Sequence, residues 1–313
     1  MSQAEGLTPL AAWQAWLAEP LAEALGPGVG ARPLEVLRPT GSVGDNPVKL
    51  LVRDQDGAPV AVVHGSTPDS PDMAARSLRR ARAAREALGA ELGSVVLEPL
   101  ASGAVDGISY TIHPFCESLS DGRVRWRLQR RRLGPVVFRW LREVTRHTAR
   151  EASPEALESA ATELSTLAGS DVFSAAVRGA AERTLERLQR DRWRPRRILA
   201  HNDFWKHNLL LRARGARRPL AARLVVIDWT GSSLAGHGIY DLVRLAQSFG
   251  LPAARLAREI ERHCEILACD PADAPAHLML AITQVRRDAD RLSDDWVDRL
   301  ACRCLETLRG ARG

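Results

Sequence analysis

The sequence of 313 residues contains no uninterrupted apolar run near the roughly 18 residues that a membrane-spanning helix needs. Its first residues also lack the basic segment followed by an apolar stretch that marks a secretory signal peptide. Cysteine is scarce, since the chain has five cysteines, an odd number, and no Cys-x-x-Cys pair. The sequence therefore predicts neither a disulfide framework nor a structural zinc site, and we expect a cytoplasmic protein whose thiols are free and mostly buried.

Lysine is nearly absent from this basic chain. Lys49 and Lys206 are the only two lysines beside 42 arginines, and the net charge is +6. Ten of the arginines lie between residues 122 and 150, interleaved with three large aromatic residues. Such a segment would attract an anionic partner, but it is more often a solvated helix face whose arginine stems cover apolar surface. Nucleic-acid binding would rest on this charge alone, so the composition does not favour it.

Apolar periodicity divides the chain into a mixed first third and a helical remainder. Residues 9–25 have the spacing of an amphipathic helix, and a Gly-Pro-Gly sequence ends it. The following region predicts five short strands and one helix; the strands are placed at 34–37, 48–53, 59–63, 95–100 and 108–115, and the helix at 69–89. From about residue 117 onward the spacing is helical except for one hairpin.

This order of elements predicts an α+β, two-lobed protein with a small antiparallel-sheet N-lobe and a mainly helical C-lobe. We expect a helical cap over residues 1–30, the N-lobe over 31–116 and the C-lobe over 117–313. A chain of this length with 45% apolar residues can bury a core large enough for two lobes.

The strongest chemical signal lies in residues 201–208, which read His-Asn-Asp-Phe-Trp-Lys-His-Asn. Two strand-like apolar runs follow, at 209–211 and 224–227, and the turn residues between them predict a hairpin. Asp203 precedes the hairpin and Asp228 follows it, so we expect both carboxylates to face one site.

Paired carboxylates and an amide suit phosphoryl transfer. That reaction needs a group that orients the attacking hydroxyl, a role for Asp203, and oxygen ligands for Mg²⁺, a role for Asn208 and Asp228. The simpler alternative is that Asp203 caps a turn and Asp228 merely ends a strand. The ordered set of residue types is hard to assemble by chance, which favours the chemical interpretation.

The pattern His-x-Asp-x-x-x-x-Asn, followed by a strand pair and Ile-Asp-Trp, resembles the aminoglycoside phosphotransferase and choline kinase family, which has the protein-kinase-like fold. The resemblance implies an ATP-dependent kinase with Asp203 as catalytic base and His201 as a support for the loop. It implies Mg²⁺ held by Asn208 and Asp228. It also implies that Asp241, in the sequence Gly-Ile-Tyr-Asp-Leu, braces the loop from the first turn of a helix.

The nucleotide-binding residues depart from the family pattern. Members of the family carry a lysine on the third strand that grips the phosphates and a glutamate on the next helix that orients it. In this chain His64 takes the place of that lysine, with Glu86 as its expected partner. A neutral imidazole brings little positive charge at pH 7, although a nearby carboxylate would favour the protonated ring.

Two lysines and a glycine-containing loop lie in the regions of the candidate site. Lys206, inside the motif, is expected to reach a phosphate or the acceptor. Lys49 follows Val48, and strand alternation puts the two on opposite faces, so Lys49 points away if Val48 faces adenine. By the resemblance, a loop with Gly41 and Gly44 covers the phosphates, although an ordinary hairpin turn explains these glycines equally well.

The sequence therefore predicts transfer of the γ-phosphate of ATP to a hydroxyl of a small molecule, with a sugar, an amino alcohol or an antibiotic-like compound as acceptor. The basic segment leaves an anionic acceptor open. The alternative is a catalytically impaired, kinase-like binding protein in which His64 marks the loss of the phosphate grip. The identity of the acceptor, the choice between ATP and GTP, and the oligomeric state do not follow from the sequence.

Overall fold

The computed structural model describes residues 10–26, 29, 33–37, 48–213, 220–288 and 293–312. These residues form two compact units. The first unit is drawn from the described residues within 1–82, 95–118 and 210–230, and the second from those within 83–94, 119–209 and 231–313. The division into residues 1–30, 31–116 and 117–313 stays a prediction.

The regular elements of the described residues are as follows. The helices are α1 (Leu10–Leu25), α2 (Met73–Leu92), α3 (Arg123–Thr148), α4 (Pro154–Ala168), α5 (Ala175–Gln189), α6 (Tyr240–Phe249), α7 (Ala253–Leu267), α8 (Ala274–Asp288) and α9 (Asp294–Arg312). The strands are β1 (Glu35–Val36), β2 (Val48–Arg53), β3 (Pro59–Gly65), β4 (Ala101–Val105), β5 (Ile108–Pro114), β6 (Cys116–Ser118), β7 (Arg150–Glu151), β8 (Arg196–Ala200), β9 (Leu209–Arg212), β10 (Leu224–Val226) and β11 (Ser233–His237).

The first unit is built on a five-stranded sheet of order β1-β2-β3-β5-β4 in which every neighbouring pair is antiparallel. Short turns make this arrangement possible. Between β4 and β5 the turn residues Asp106 and Gly107 both have positive φ, the conformation of a tight two-residue hairpin. The predicted small antiparallel sheet is thus confirmed.

Helix α1 buries one face of this sheet. Trp13, Leu17 and Leu21 follow one another at a spacing of four residues and are at most 1% exposed. Alternate residues of the strands pack against them, namely Leu50, Val52, Ala61, Val63, Tyr110 and Ile112. Since burial of each large apolar side chain contributes about 1.5–3 kcal/mol, this layer is the core that holds the first unit together.

The strand predicted over residues 95–100 is wrong. Within that range only Val96 forms a bridge, a single isolated parallel one with Val226, and β4 begins after the range ends. Pro99 lacks the N–H group that a ladder position requires. The apolar pattern has another cause, because Leu97 packs into a small core cluster with residues of β6 and of the segment around β10.

A second sheet of the first unit, of order β10-β9-β6, contains the strands that follow the candidate motif. The adjacency of β9 and β10 confirms the predicted hairpin. Arg223, which precedes β10, donates from Nε to the carbonyl of Arg212 at 2.8 Å and pairs with Glu117 on β6 at 3.1 Å. These bonds hold the base of the hairpin together.

The second unit is mainly helical, as the apolar spacing predicted, but it also contains a sheet that the sequence did not predict. Strands β7, β8 and β11 pair antiparallel in the order β11-β8-β7. A Cβ at Gly236 would lie 2.4 Å from that of Ala200, so glycine permits the close approach of β11 to β8. These strands are short and lack a clean alternation, which explains why periodicity missed them.

The helices of the described residues include none that is long and apolar enough to cross a membrane.

Gly65 tests whether α1 packs directly on the sheet. A Cβ at this position would lie 2.4 Å from the ring of Trp13. We therefore expect Gly65→Ala to lower the free energy of unfolding by about 1–3 kcal/mol, as overpacking of a core does. The matched control is Gly310→Ala in α9, where a Cβ meets no atom within 4 Å and should be neutral or stabilising. Urea denaturation measures the stability of both variants. A Gly65→Ala protein that is as stable as the wild type would contradict this packing.

Candidate active site

The backbone of the motif loop is held by one buried carboxylate. Asp241, in the first turn of α6, accepts hydrogen bonds from the backbone N–H of His201 at 2.7 Å and of Asn202 at 3.0 Å. Asn202 has a φ of 63°, in the left-handed region that asparagine tolerates better than most residues, and its amide donates to the carbonyl of Gly231 at 2.9 Å. The loop conformation therefore depends on Asp241.

Burial has the largest effect on the pKa of Asp241. It raises the pKa of this carboxyl, while His201 and the two backbone N–H groups act in the opposite direction. A carboxylate that accepts two N–H bonds in a buried position is costly to replace, because its loss leaves both donors unpaired.

Asp203 and Asn208 are brought together by the loop. The side-chain amide of Asn208 donates to Asp203 Oδ2 at 2.9 Å and to the carbonyl of Asp203 at 2.8 Å. Trp205 Nε1 donates to the same oxygen at 3.2 Å, and Arg244 Nη2 lies 3.6 Å from Oδ1. The carboxylate is thereby oriented, yet 45% of the side chain remains exposed and open to a reactant.

Helix α6 positions this loop at three points on one of its faces. Asp241 holds the loop backbone, Arg244 faces Asp203, and the hydroxyl of Ser248 accepts a hydrogen bond from the backbone N–H of Lys206 at 3.0 Å. Spacings of three and four residues put these side chains on a single helix face. Sequence reasoning missed Arg244 and Ser248, although their spacing from Asp241 was the signal that would have identified them.

Lys206 contacts two side chains of the second unit. Its ammonium group donates to Asp121 Oδ1 at 2.6 Å and lies 4.6 Å from the centre of the Trp126 ring, and only 10% of its side chain is exposed. The hydrogen bond from Lys206 is the main cause that lowers the pKa of Asp121. No sequence pattern indicated this ion pair, because the two residues lie 85 positions apart.

Asp228 lies in the first unit, two residues after the end of β10. Its φ of 63° marks a sharp change of chain direction at the end of the strand. The next residue, Trp229, is buried, and its Nε1 donates to the carbonyl of Val226 at 3.1 Å, so the ring packs in the core. The predicted convergence of Asp228 with Asp203 and Asn208 on one metal ion stays a prediction.

The donor set fits Mg²⁺ chemically. Asn208 uses its amide nitrogen toward Asp203, which leaves its amide oxygen as the atom for a metal. An amide oxygen and the carboxylate of Asp228 are hard oxygen ligands of the kind that Mg²⁺ binds.

The face of the five-stranded sheet opposite α1 carries the polar residues. Lys49 on β2 pairs directly with His64 on β3, and His64 pairs with Thr111 on β5, so all three share one face. Val48 pairs with Gly65 and packs against the cluster under α1. The assignment of Val48 to a nucleotide site therefore finds no support in the sheet, and it is Lys49 that shares a face with His64.

His64 is a neutral imidazole in this environment. Burial, the neighbouring His113 and the charge of Lys49, in that order, lower the pKa of His64 to about 3. The ring centres of His64 and His113 are 5.2 Å apart, and burial lowers the pKa of His113 to about 4. No carboxylate is among the causes of this shift, and the expected pairing of His64 with Glu86 of the second unit stays a prediction.

The other predicted nucleotide-binding residues are not tested by the described geometry. Gly41 and Gly44 lie outside the described residues, and Glu86 lies on α2 in the second unit.

Known proteins resemble this chain in sequence pattern and in fold. A model of a family described as the phosphotransferase enzyme family matches residues 30–276. A search of curated proteins finds no match. Among solved structures, choline kinase LicA from Streptococcus pneumoniae is 16% identical with a TM-score of 0.51, covering 95% of this chain and 99% of that one.

Two further structures agree in fold. The GDP complex of aminoglycoside 2'-phosphotransferase-IIIa is 12% identical with a TM-score of 0.55, covering 96% of this chain and 99% of that one. A choline/ethanolamine kinase family protein from Mesorhizobium loti is 14% identical with a TM-score of 0.51, covering 96% and 98%. The predicted α+β, protein-kinase-like fold is confirmed.

Asp241→Asn tests the brace on the loop. Asparagine turns one acceptor oxygen into a donor that faces a backbone N–H, so we expect a loss of about 1–3 kcal/mol in the free energy of unfolding. Hydrogen exchange of the peptide that contains residues 200–205 should also accelerate. The control Asp295→Asn removes an exposed ion pair with Arg299 and a negative charge in the first turn of α9, so it should cost less than about 1 kcal/mol and leave the exchange of that peptide unchanged. Unchanged exchange in Asp241→Asn would argue against the brace.

Proposed function

This chain belongs to the phosphotransferase enzyme family, and from that premise we propose that it transfers the γ-phosphate of ATP to a hydroxyl group of a small molecule. The prediction of a phosphotransferase that acts on an alcohol group is confirmed at the level of the family. The observation that supports the finer proposal is the loop in which Asn208 and Trp205 orient the half-exposed carboxylate of Asp203.

Asp203 acts as the base that orients the attacking hydroxyl. Phosphoryl transfer asks mainly for position and charge neutralisation, so a carboxylate fixed by hydrogen bonds is better suited than a mobile one. Asn208, Trp205 and Arg244 restrict its rotation while part of it stays open. As the hydroxyl oxygen bonds to the γ-phosphorus, the bond from that phosphorus to the bridging oxygen breaks and ADP leaves, and the hydroxyl proton passes to a free lone pair of Asp203. His201 supports the loop through its backbone N–H bond to Asp241.

Asn208 and Asp228 hold Mg²⁺ in this proposal. The amide nitrogen of Asn208 is engaged by Asp203, which directs the amide oxygen toward a cation. When bound, Mg²⁺ supplies positive charge to the phosphate oxygens. The same hydrogen bond couples the orientation of the base to that of a metal ligand.

Lys49 supplies the cationic grip that His64 cannot. His64 occupies the expected position but is neutral, with its pKa lowered to about 3. Lys49 lies directly opposite on the neighbouring strand and on the same face, and no acidic side chain of the described residues pairs with it. Lys206 is engaged by Asp121. Lys49 is thus the lysine that can reach a phosphate above this face of the sheet, and Glu86, Gly41 and Gly44 keep their proposed roles around the nucleotide.

A sugar or an amino alcohol is the acceptor class that we favour. Structures of similar fold include choline kinase LicA and a complex of APH(2")-IIIa with GDP and kanamycin, the latter 14% identical with a TM-score of 0.51. The basic helix α3 does not add an argument for an anionic acceptor. Its aromatic residues pack inward, as Trp126 does against Phe249 at 5.0 Å, while most of its arginines face solvent.

The proposed reaction is tested with γ-labelled ATP, Mg²⁺ and a panel of sugars, amino alcohols and aminoglycosides. We expect Asp203→Asn to lower kcat by about 10²–10⁴-fold while it leaves nucleotide binding intact, because it removes only the base. Asp228→Asn should abolish the Mg²⁺-dependent part of ATP binding in a calorimetric titration. The control Asp295→Asn should match the wild type. If the wild-type protein binds neither ATP nor GTP, the catalytically impaired binding protein becomes the better description.

Lys49→Gln separates the two candidates for the phosphate grip. Loss of its charge should raise the Kd of MgATP by about tenfold or more, since one close charge contact is worth about 1–2 kcal/mol in a half-buried position. Arg53→Gln on the same strand is the control, because Arg53 is already paired with Glu35 at 2.8 Å. Equal Kd values for Lys49→Gln and the wild type would return the role to His64 or to a residue outside the described ranges.

A further inference from the structure

The C-terminus of α7 brings two cysteines together. Ala268 ends the helix in the left-handed conformation with a φ of 52°, and its N–H donates to the carbonyl of Glu265 at 3.3 Å. The N–H of Cys269 donates to the carbonyl of Cys264 at 3.0 Å. This pair of bonds is the Schellman motif, in which the side chains at the two outer positions contact each other. Those positions are normally apolar, and in this chain both are cysteine.

The two thiols have different environments. Cys264 is fully buried, whereas Cys269 is partly exposed. The neighbouring thiol of Cys264 is the main cause that lowers the pKa of Cys269, and the same neighbour, together with burial, raises the pKa of Cys264. The Sγ atom of Cys269 also lies 3.6 Å from Nε2 of His277, a fully buried histidine. Cys269 is therefore the sulfur that is both activated and accessible, since a thiolate is stabilised by such donors.

Cys269 opens onto a cavity of about 390 Å³ in the second unit. Its wall contains three arginines and three aspartates, so its charge is balanced; the other lining residues are Trp193, Ala268 and Cys269. Trp193 is 4% exposed, and its Nε1 finds no hydrogen-bond partner among the described residues. The Nδ1 atom of His277, whose ring lies 4.8 Å from that of Trp193, is likewise unpartnered within those residues. The charged wall of the cavity therefore suits a small polar ligand.

A metal ion is not the ligand that these residues indicate. No group of three or more histidine, cysteine, aspartate or glutamate side chains in the described part of the chain has the arrangement of a metal site. Asp273, the nearest candidate for a third ligand, already forms an ion pair with Arg187.

We propose that Cys269 and Cys264 form a thiol–disulfide exchange site, in which Cys269 reacts with a low-molecular-weight disulfide that enters the cavity and Cys264 resolves the adduct. In the first step the Cys269 thiolate attacks one sulfur of the disulfide, a new S–S bond forms, and one thiolate leaves. In the second step the sulfur of Cys264 loses its proton and attacks Cys269, releasing the second thiol. The protein loses two protons and two electrons, and the small disulfide takes them up and becomes two thiols.

The test is reaction of the wild-type protein with oxidised glutathione, followed by alkylation of free thiols and peptide mass mapping. Cleavage after Glu265 separates Cys264 from Cys269, so the two fragments stay joined only if the disulfide has formed. We expect that linkage, reversal by dithiothreitol, and release of two reduced glutathione molecules per chain. In the Cys264→Ser variant, the glutathione adduct should accumulate on Cys269. In the Cys269→Ser variant, the thiol of Cys264 should remain reduced.

Cys302 is the internal control, because it is also half-buried but lies beside the carboxylate of Asp298 and the hydroxyl of Ser174. We expect Cys269 to react at least about tenfold faster than Cys302, because its neighbours lower the pKa of the Cys269 thiol. Equal rates at the two cysteines in the wild-type protein would overturn the proposal. So would the absence of a Cys269 adduct in Cys264→Ser. Both readouts are independent of kinase activity.

Discussion

The geometry of the candidate active site depends on the buried carboxylate of Asp241. A loop that turns through a left-handed residue at Asn202 exposes backbone N–H groups that neither a helix nor a strand can satisfy. Asp241 accepts two of them, and its position in the first turn of α6 is favourable for a negative charge. The helix that carries the brace also carries Arg244 and Ser248 on the same face. One short helix thereby fixes the loop backbone and restrains Asp203.

The two faces of the five-stranded sheet divide stability from function. Alternation sends Leu50 and Val63 toward α1, where Trp13 leaves no space for a side chain at position 65. The same alternation collects Lys49 and His64 on the other face. Because burial keeps the imidazole neutral, this face has its positive charge on β2, although the resemblance placed it on β3. A cation on β2 lies on the same surface as one on β3, because directly paired residues of neighbouring strands point to the same side of the sheet.

Charge composition alone misleads in this protein. The strongly basic segment of α3 suggested an anionic partner, yet its large aromatic residues are packed inward and its arginines form a solvated face. The rare lysines are the more specific cations. Lys206 lies in the motif, but its ammonium group is paired with Asp121 and packs over the ring of Trp126. The cysteines show the same limit of sequence patterns. The chain has no Cys-x-x-Cys pair, yet the cap at the end of α7 brings Cys264 and Cys269 together.

The sequence by itself determined the order and type of most elements, since α1, β2, β3, β5 and the β9–β10 hairpin have strong local periodicity. It also determined the motif from His201 to Asn208, because the spacing of those residues is local. It could not reveal β8 and β11, whose pairing joins segments more than 30 residues apart. Only the tertiary structure decided which residues face Asp203, where the charge of Lys206 is used, and that His64 is neutral. Each of these depends on burial and on long-range neighbours, which a linear pattern does not contain.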